Sequence, residues 1–122
     1  MQNAINWVDI PAADFDRAVQ FYSTVLGVAL RKEVYNGVPN GIFPTETRDG
    51  VGGAVVFSPD FTPGTSGALV YLNADGKLDA ILARVPAAGG QVVLAKTSIG
   101  DPGHIAILID TEGNKIGLHQ PK

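Results

Sequence analysis

Two ionisable side chains, Asp9 and His119, are the candidates for acid–base chemistry in this chain. Asp9 follows Trp7 in a short apolar run near the N-terminus, and His119 ends a similar run near the C-terminus. A carboxylate or an imidazole that faces an apolar pocket can serve as a general base without a metal ion. The alternative for each residue is a position at the solvent-exposed rim of such a pocket, and the sequence leaves both interpretations open.

Several other kinds of chemistry are excluded by composition and spacing. The chain contains no cysteine, so disulfides, thiolate catalysis and cysteine-based zinc sites are ruled out. It has no G-x-S-x-G sequence, and its paired glycines lie in predicted turns rather than before a helix, where a phosphate-binding loop would need them.

The charge pattern bears on partners and location. The net charge is −3, and no cluster of Lys or Arg is present, so neither a nucleic acid nor a membrane surface is expected as a partner. No apolar run reaches the roughly 18 to 20 residues of a membrane span. The N-terminus lacks the basic start and long apolar stretch of a signal peptide, so we expect a cytoplasmic protein.

The elements that position Asp9 and His119 are predicted to follow the order β-α-β-β-β in each half of the chain. In the first half, apolar residues at helical spacing predict a helix from Phe15 to Leu26, capped by Asp14 and ended by Gly27. In the second half, a helix is predicted to start at Asp75 or Gly76 and to be closed by Gly89 and Gly90. The predicted strands span residues 5–10, 28–35, 41–47, 53–58, 68–73, 91–96, 104–110 and 115–119.

The two halves are related by an offset of roughly 61 residues, half the length of the chain. This predicts one α+β domain made of module one (1–58), a Pro- and Gly-rich linker (59–67) and module two (68–122). A ferredoxin-like sandwich is the competing fold, but its β-α-β-β-α-β order places the second helix one strand too early.

Three segments resemble the glyoxalase/bleomycin-resistance/dioxygenase superfamily. Residues 10–27 are similar to its opening D-x-x-x-A-x-x-F-Y-x-x-x-L-G, residues 87–92 to its A-x-G-G-x-V step, and residues 110–119 to its closing D-P-x-G-N-x strand, with Thr111 in place of the usual Pro. The resemblance implies two tandem βαβββ modules that form an eight-stranded, cup-shaped mixed sheet with helices on the convex face. It also implies a homodimer.

Many members of this superfamily hold a divalent metal with His, Glu or Gln at fixed strand positions. By the resemblance, these positions fall on Trp7, near Ala68 or Val70, around Val55, and on Gly117. None of these side chains can bind a metal ion, which needs several converging donor atoms. We therefore predict a site with neither a metal nor another cofactor.

Alternation along the predicted strands gives the residues expected to line the cup. Val55 and Phe57 are included as repeat counterparts of Gly117 and His119, and Val70 and Leu72 as counterparts of Asp9 and its neighbour. The candidate ligand-binding residues are Trp7, Asp9, Tyr35, Phe43, Val55, Phe57, Val70, Leu72 and His119. For Trp7, Phe43 and Phe57, packing in the core is the alternative.

A pocket of this composition suits a flat or hydrophobic ligand held by burial, at about 25 cal/mol per Å² of apolar surface. The predicted function is a small-molecule binding protein with a metal-free cup. One alternative is a lyase or isomerase related to lactoylglutathione lyase, with Asp9 or His119 as the base, and another is a regulatory partner of a second protein. Whether the cup closes within one chain or across a dimer is left open.

Overall fold

The order β-α-β-β-β occurs twice in the computed structural model, which describes residues 3–47 and 50–122. The first module contains β1 (Trp7–Pro11), α1 (Phe15–Leu26), β2 (Arg31–Tyr35), β3 (Val38–Ile42) and β4 (Gly52–Val56). The second contains β5 (Tyr71–Asn73), α2 (Leu78–Arg84), β6 (Gln91–Ser98), β7 (His104–Ile109) and β8 (Lys115–Gln120). The predicted α+β class with two tandem βαβββ modules is therefore confirmed.

The helix α1 begins and ends where its sequence predicts. The Asp14 side chain accepts a hydrogen bond from the Arg17 backbone N–H, which caps the first turn. Gly27 ends the helix at a φ of 68°, in the left-handed region that glycine adopts without strain.

The helix α2 is shorter than predicted. It starts at Leu78 rather than at Asp75 or Gly76, and its N-cap residue Lys77 makes no side-chain cap hydrogen bond. It ends at Arg84, two residues before Pro86, because a proline ring in the helix interior clashes with the preceding turn.

Each module forms a mixed four-stranded sheet of equivalent topology. Sheet 1 has the order β1-β4-β3-β2 and sheet 2 the order β5-β8-β7-β6. In each, the first strand pairs in parallel with the last, and the remaining pairs are antiparallel.

A two-residue turn at Asn36 and Gly37 joins β2 to β3. Both residues have positive φ, 50° and 77°, as a type I′ hairpin turn requires. This turn sets Tyr35 opposite Val38, so β3 occupies residues 38–42 instead of the predicted 41–47.

One hydrophobic core joins the two modules. It includes Ile10 and Val55 from sheet 1, residues of both helices, and Leu108 and Leu118 from sheet 2. In both sheets, the side that carries the helix therefore faces the shared core. The opposite side of each sheet, its open face, points away from this core.

The turn between β7 and β8 connects module two to the start of α1 by hydrogen bonds. The Glu112 carboxylate accepts hydrogen bonds from the backbone N–H groups of Ala13 and Asp14 at 2.9 and 2.7 Å and from the Arg17 guanidinium at 2.7 and 3.1 Å. Beside it, Asp110 is buried and accepts a 2.6 Å hydrogen bond from the Tyr22 hydroxyl. We call Tyr22, Arg17, Asp110, Glu112 and Asn114 the intermodule network.

No helix in the described part of the chain is long and apolar enough to cross a membrane. The longer of the two, α1, has 12 residues, whereas a span needs roughly 20.

Candidate functional site

The open face of sheet 1 carries the first group of predicted site residues. Trp7 and Asp9 lie on it, because Val8 and Ile10 between them pack into the core. The strand pairing places Gly52 beside Trp7 and Ala54 beside Asp9. Across the sheet, the same face continues through Asn40 and Ile42 of β3 to Arg31, Glu33 and Tyr35 of β2.

A concavity of about 590 Å³ opens on this face. Its size falls within the range of small-molecule sites. The lining combines three aromatic residues with a cation and loop residues: Asn6, Trp7, Arg31, Tyr35, Ile42, Phe43, Pro44, Thr45, Gly50 and Gly52.

The Trp7 indole is fixed in this concavity yet remains accessible. Its Nε1–H donates a 2.9 Å hydrogen bond to Oδ1 of Asp9, two residues along the same strand face. The side chain is 45% exposed despite its size. Because the hydrogen bond holds the ring from its edge, the ring surface is left as a platform for another flat group.

Charged groups flank the apolar part of this face. Arg31 and Glu33 form an ion pair at 3.0 Å on β2. Asp9 lies beside the concavity rather than in its lining. Its Oδ1 accepts the hydrogen bond from the Trp7 indole, and the carboxylate can accept further hydrogen bonds. The site therefore offers an aromatic platform with an acceptor at its edge.

The open face of sheet 2 is more apolar. Tyr71 and Asn73 of β5 pair with Gly117 and His119 of β8. The next strand, β7, adds Ile105 and Ile107 opposite His119 and Gly117. These two isoleucines are half-buried. Ala106 and Leu108, which face the other side of β7, are buried in the core, so β7 is apolar on both sides.

The His119 ring makes one hydrogen bond through a named nitrogen. Its Nε2 lies 2.8 Å from the carbonyl oxygen of Pro102. Since a carbonyl oxygen can only accept, Nε2 is the ring nitrogen that donates, and Nδ1 is the nitrogen through which a neutral ring would accept a proton. A neutral His119 can therefore act as a base through Nδ1.

In both sheets an aromatic ring of the first strand covers a glycine of the last strand. A Cβ atom built on Gly52 would lie 3.2 Å from the Trp7 ring, and one built on Gly117 would lie 2.5 Å from the Tyr71 ring. Each ring thus occupies the space that a side chain at the paired position would need.

These ring–glycine pairs do not fit the divalent metal that the superfamily resemblance implies. An indole, a phenol and two glycines provide no converging set of donors. Among residues 3–47 and 50–122, no group of three or more His, Cys, Asp or Glu is placed to hold an ion. The paired rings and glycines therefore provide no ligand set for a divalent ion.

Two predicted site residues face the wrong way. Val55 and Leu72 pack in or against the core beneath the helices, not on the open faces. The reason is the repeat offset: Trp7 pairs with Gly52 as Tyr71 pairs with Gly117, so the first strands are offset by 64 residues and the last strands by 65. The predicted matches of Val70 with Asp9 and of Val55 with Gly117 assumed offsets of 61 and 62. An odd difference of three residues reverses which side of a strand each residue faces.

The remaining candidates are placed as follows. Phe43 borders the concavity and also packs edge-on against Tyr22, with ring centroids 5.6 Å apart. Phe57 is exposed just beyond β4 and does not line the concavity, and Val70 is half-buried just before β5. Tyr71 was missed, although it is the one aromatic residue of the predicted strand 68–73.

Comparison with known proteins identifies the family of this chain. The family model of the Glyoxalase/Bleomycin resistance protein/Dioxygenase superfamily matches residues 4–118. The chain belongs to this superfamily. A curated relative in Mycobacterium bovis, named "Putative glyoxylase CFP32", is 30% identical over 98% of this chain, which spans about half (46%) of that protein's length.

Two solved structures illustrate the fold of this superfamily member. A glyoxalase/bleomycin resistance protein from Albidiferax ferrireducens superposes with a TM-score of 0.72 at 18% identity, covering 98% of this chain and all of the other. TnmS3, an antibiotic binding protein from Streptomyces, superposes with a TM-score of 0.69 at 25% identity, covering 98% of this chain and 97% of that one.

Proposed function

We propose that this superfamily member binds a planar, largely apolar small molecule in the sheet 1 concavity, without a metal ion. The observation that carries the proposal is the exposed Trp7 ring, held at its edge by Asp9 and backed by Gly52. An aromatic ligand that stacks on this ring buries its faces and keeps its polar rim near Asp9. The Streptomyces relative, an antibiotic binding protein by name, supports a binding role.

The test uses Trp7, the single tryptophan of the chain, as a built-in reporter. Proflavine, a planar aromatic diamine, is titrated while the tryptophan fluorescence is followed, and calorimetry gives an independent Kd. We expect quenching that saturates at one molecule per chain. Cyclohexylamine, which carries an amine but no flat ring, should leave the fluorescence unchanged.

Substitution of Trp7 provides the second part of this test. Trp7→Ala is expected to weaken proflavine binding at least tenfold by calorimetry, since the stacking surface is gone. Phe57→Ala is the matched control, because Phe57 is an exposed aromatic residue outside the concavity. Equal affinity of the Trp7→Ala variant and the wild type would remove the proposal.

We further propose that the site closes across two copies of the chain. Within one chain both open faces point away from the shared core, so they cannot cover each other. The open face of sheet 2, with Tyr71 and Ile107, is apolar enough to cover the open face of a second copy's sheet 1. A two-fold axis would repeat this contact twice.

Sedimentation equilibrium tests the dimer directly. Ile107→Lys is expected to shift a dimer to a monomer, because the ammonium would be desolvated in an apolar contact. Val34→Lys is the control, since Val34 is exposed on the other side of edge strand β2. A wild-type chain that sediments as a monomer at all concentrations would contradict the dimer.

One observation favours a second candidate function, a lyase or isomerase with His119 as the base. The hydrogen bond from Nε2 to Pro102 leaves the Nδ1 lone pair available for proton abstraction. This candidate predicts turnover of a thiohemiacetal that persists in excess EDTA and falls at least 100-fold in His119→Ala. Turnover that is unchanged in that variant would exclude His119 as the base.

A further inference from the structure

Tyr71 occupies the same place in sheet 2 that Trp7 occupies in sheet 1. Each is the first residue of an edge strand that runs parallel to the last strand of its module, and each pairs with a glycine there. Each is also followed, two residues along on the same side, by a polar residue, Asp9 after Trp7 and Asn73 after Tyr71.

We infer that Tyr71 is a second stacking residue of the ligand site, and that Tyr71 of one copy and Trp7 of another hold the same planar ligand. The inference rests on the proposed function, because it names a further wall of the same site. It assigns Tyr71 a role in recognition that the sequence did not suggest.

The geometry around Gly117 carries this inference. A Cβ on Gly117 would lie 2.5, 2.6 and 2.9 Å from three atoms of the Tyr71 ring. Because real Cβ atoms do not approach so closely, any other residue at position 117 would push the ring away. The ring therefore lies across β8 and is backed by the strand itself.

The rest of the Tyr71 ring is open. The residue is 44% exposed although its neighbours Ile105 and Ile107 are half-buried. A large aromatic surface left accessible inside an apolar face is a feature of binding sites. In the proposed dimer, this surface faces the sheet 1 concavity of the second copy.

The chemistry of the two ring positions defines the ligand class. Two ring platforms select a flat aromatic molecule with both faces free, since a bulky or puckered ligand cannot contact both. The Asp9 carboxylate at the edge of the Trp7 platform accepts hydrogen bonds, so N–H donors on the rim of the ligand are favoured. The ligand class is therefore a planar aromatic amine.

The experiment follows the quenching of Trp7 fluorescence by proflavine in wild type, Tyr71→Ala and Tyr71→Phe. Because the signal arises at Trp7, it reports a change at Tyr71 only if both residues hold one ligand. We expect Tyr71→Ala to raise the Kd about tenfold and Tyr71→Phe to stay within twofold of the wild type. Far-UV circular dichroism establishes that each variant is folded.

A second variant moves the ring without removing it. Gly117→Ala is expected to raise the Kd for proflavine, as Tyr71→Ala does, because the added methyl group displaces the Tyr71 ring. Quenching with an unchanged Kd in folded Tyr71→Ala would overturn the inference while leaving the proposed function intact. Absence of quenching in the wild type would instead remove the proposed function, and the inference with it.

Discussion

The Glu112 carboxylate illustrates how a charge is kept ionised at the contact between the two modules. Its side chain is inaccessible to solvent, and burial alone would raise its pKa. Hydrogen bonds from Arg17, from the Asp14 backbone N–H and from the Thr111 hydroxyl outweigh burial, so the pKa of Glu112 lies below its ordinary value. The folded state therefore stabilises the ionised form of Glu112.

This lowered pKa gives a pH dependence with a definite sign. A carboxyl group whose pKa is lower in the folded state stabilises the protein above its unfolded pKa, and this stabilisation is lost as the pH falls through the folded pKa. We expect Glu112→Gln to lower the free energy of unfolding at pH 7 by about 1–3 kcal/mol, because donors are left unpaired. Urea unfolding from pH 7 down to pH 3 should show a smaller loss of stability in the variant.

Glu33→Gln serves as the control for this measurement. Glu33 also pairs with an arginine, but its side chain is 42% exposed, and such exposed pairs contribute little. If Glu112→Gln followed the same pH curve as the wild type, the intermodule role of this carboxylate would be wrong.

The Tyr22 hydroxyl donates a hydrogen bond to the side chain of buried Asp110. Burial raises its pKa well above the ordinary value, and the nearby Asp110 carboxylate raises it further, so the hydroxyl stays protonated and donates. We expect Tyr22→Phe to lower the free energy of unfolding by about 1–2 kcal/mol. Tyr35→Phe, in which an exposed hydroxyl is removed, should leave the urea midpoint unchanged.

Among the elements, α1 and α2 differ in how clearly their ends are encoded. Asp14 and Gly27 cap α1 at both ends. The N-cap residue of α2, Lys77, makes no side-chain cap bond, and the Leu78 N–H donates instead to the distant Gln120 side chain at 3.1 Å. The sequence offers an aspartate near the start of both helices, but only Asp14 has its side chain within reach of a first-turn N–H.

This difference predicts unequal effects of two similar substitutions. Asp14→Ala is expected to destabilise the protein by about 1 kcal/mol through the lost cap. Asp75→Ala should change stability by less than about 0.5 kcal/mol, as is usual for a surface position. Thermal unfolding of both variants checks the contrast, and equal shifts in Tm would contradict it.

Strands were predictable as elements but not in their register. The faces of Trp7 and Asp9 follow from local alternation with Val8 and Ile10, and the structure agrees. The predicted faces of Val55 and Leu72 depend on an assumed repeat offset. That offset is set by the lengths of the loops, which the alternation of apolar and polar residues along a strand does not reveal. The Asn36–Gly37 pair was a local signal for the β2–β3 hairpin, and reading it would have placed β3 correctly.

For the molecule as a whole, the shared core predicts that the two modules unfold as one cooperative unit. Leu118 in sheet 2 belongs to the same buried cluster as Ile10 in sheet 1. The superfamily and its fold were predictable because their motifs lie in helix caps and turns of this unit. The pairing of rings with glycines was not, because it depends on contacts between strands that are far apart in sequence.

Cooperativity of this kind can be measured with Trp7, which lies in module one. Leu118→Ala in module two is expected to lower the free energy of unfolding by about 2–4 kcal/mol through the cavity it leaves. The transition followed by Trp7 fluorescence should shift as far as the one followed by circular dichroism. A Trp7 transition that stays at the wild-type midpoint would show that the modules unfold separately.

The shared interior also has a consequence for how the chain can be cut. The segment 59–67 between the modules is largely exposed, and its Gly64 N–H donates to the Asn114 side chain. Because the halves adhere through buried side chains and the Asp110–Asn114 turn, the peptide link between them acts as a tether rather than as a structural support. Two separately synthesised halves, cleaved within this segment, should find each other in solution and reconstitute the parent molecule, while either half alone would expose the surface that the other covers.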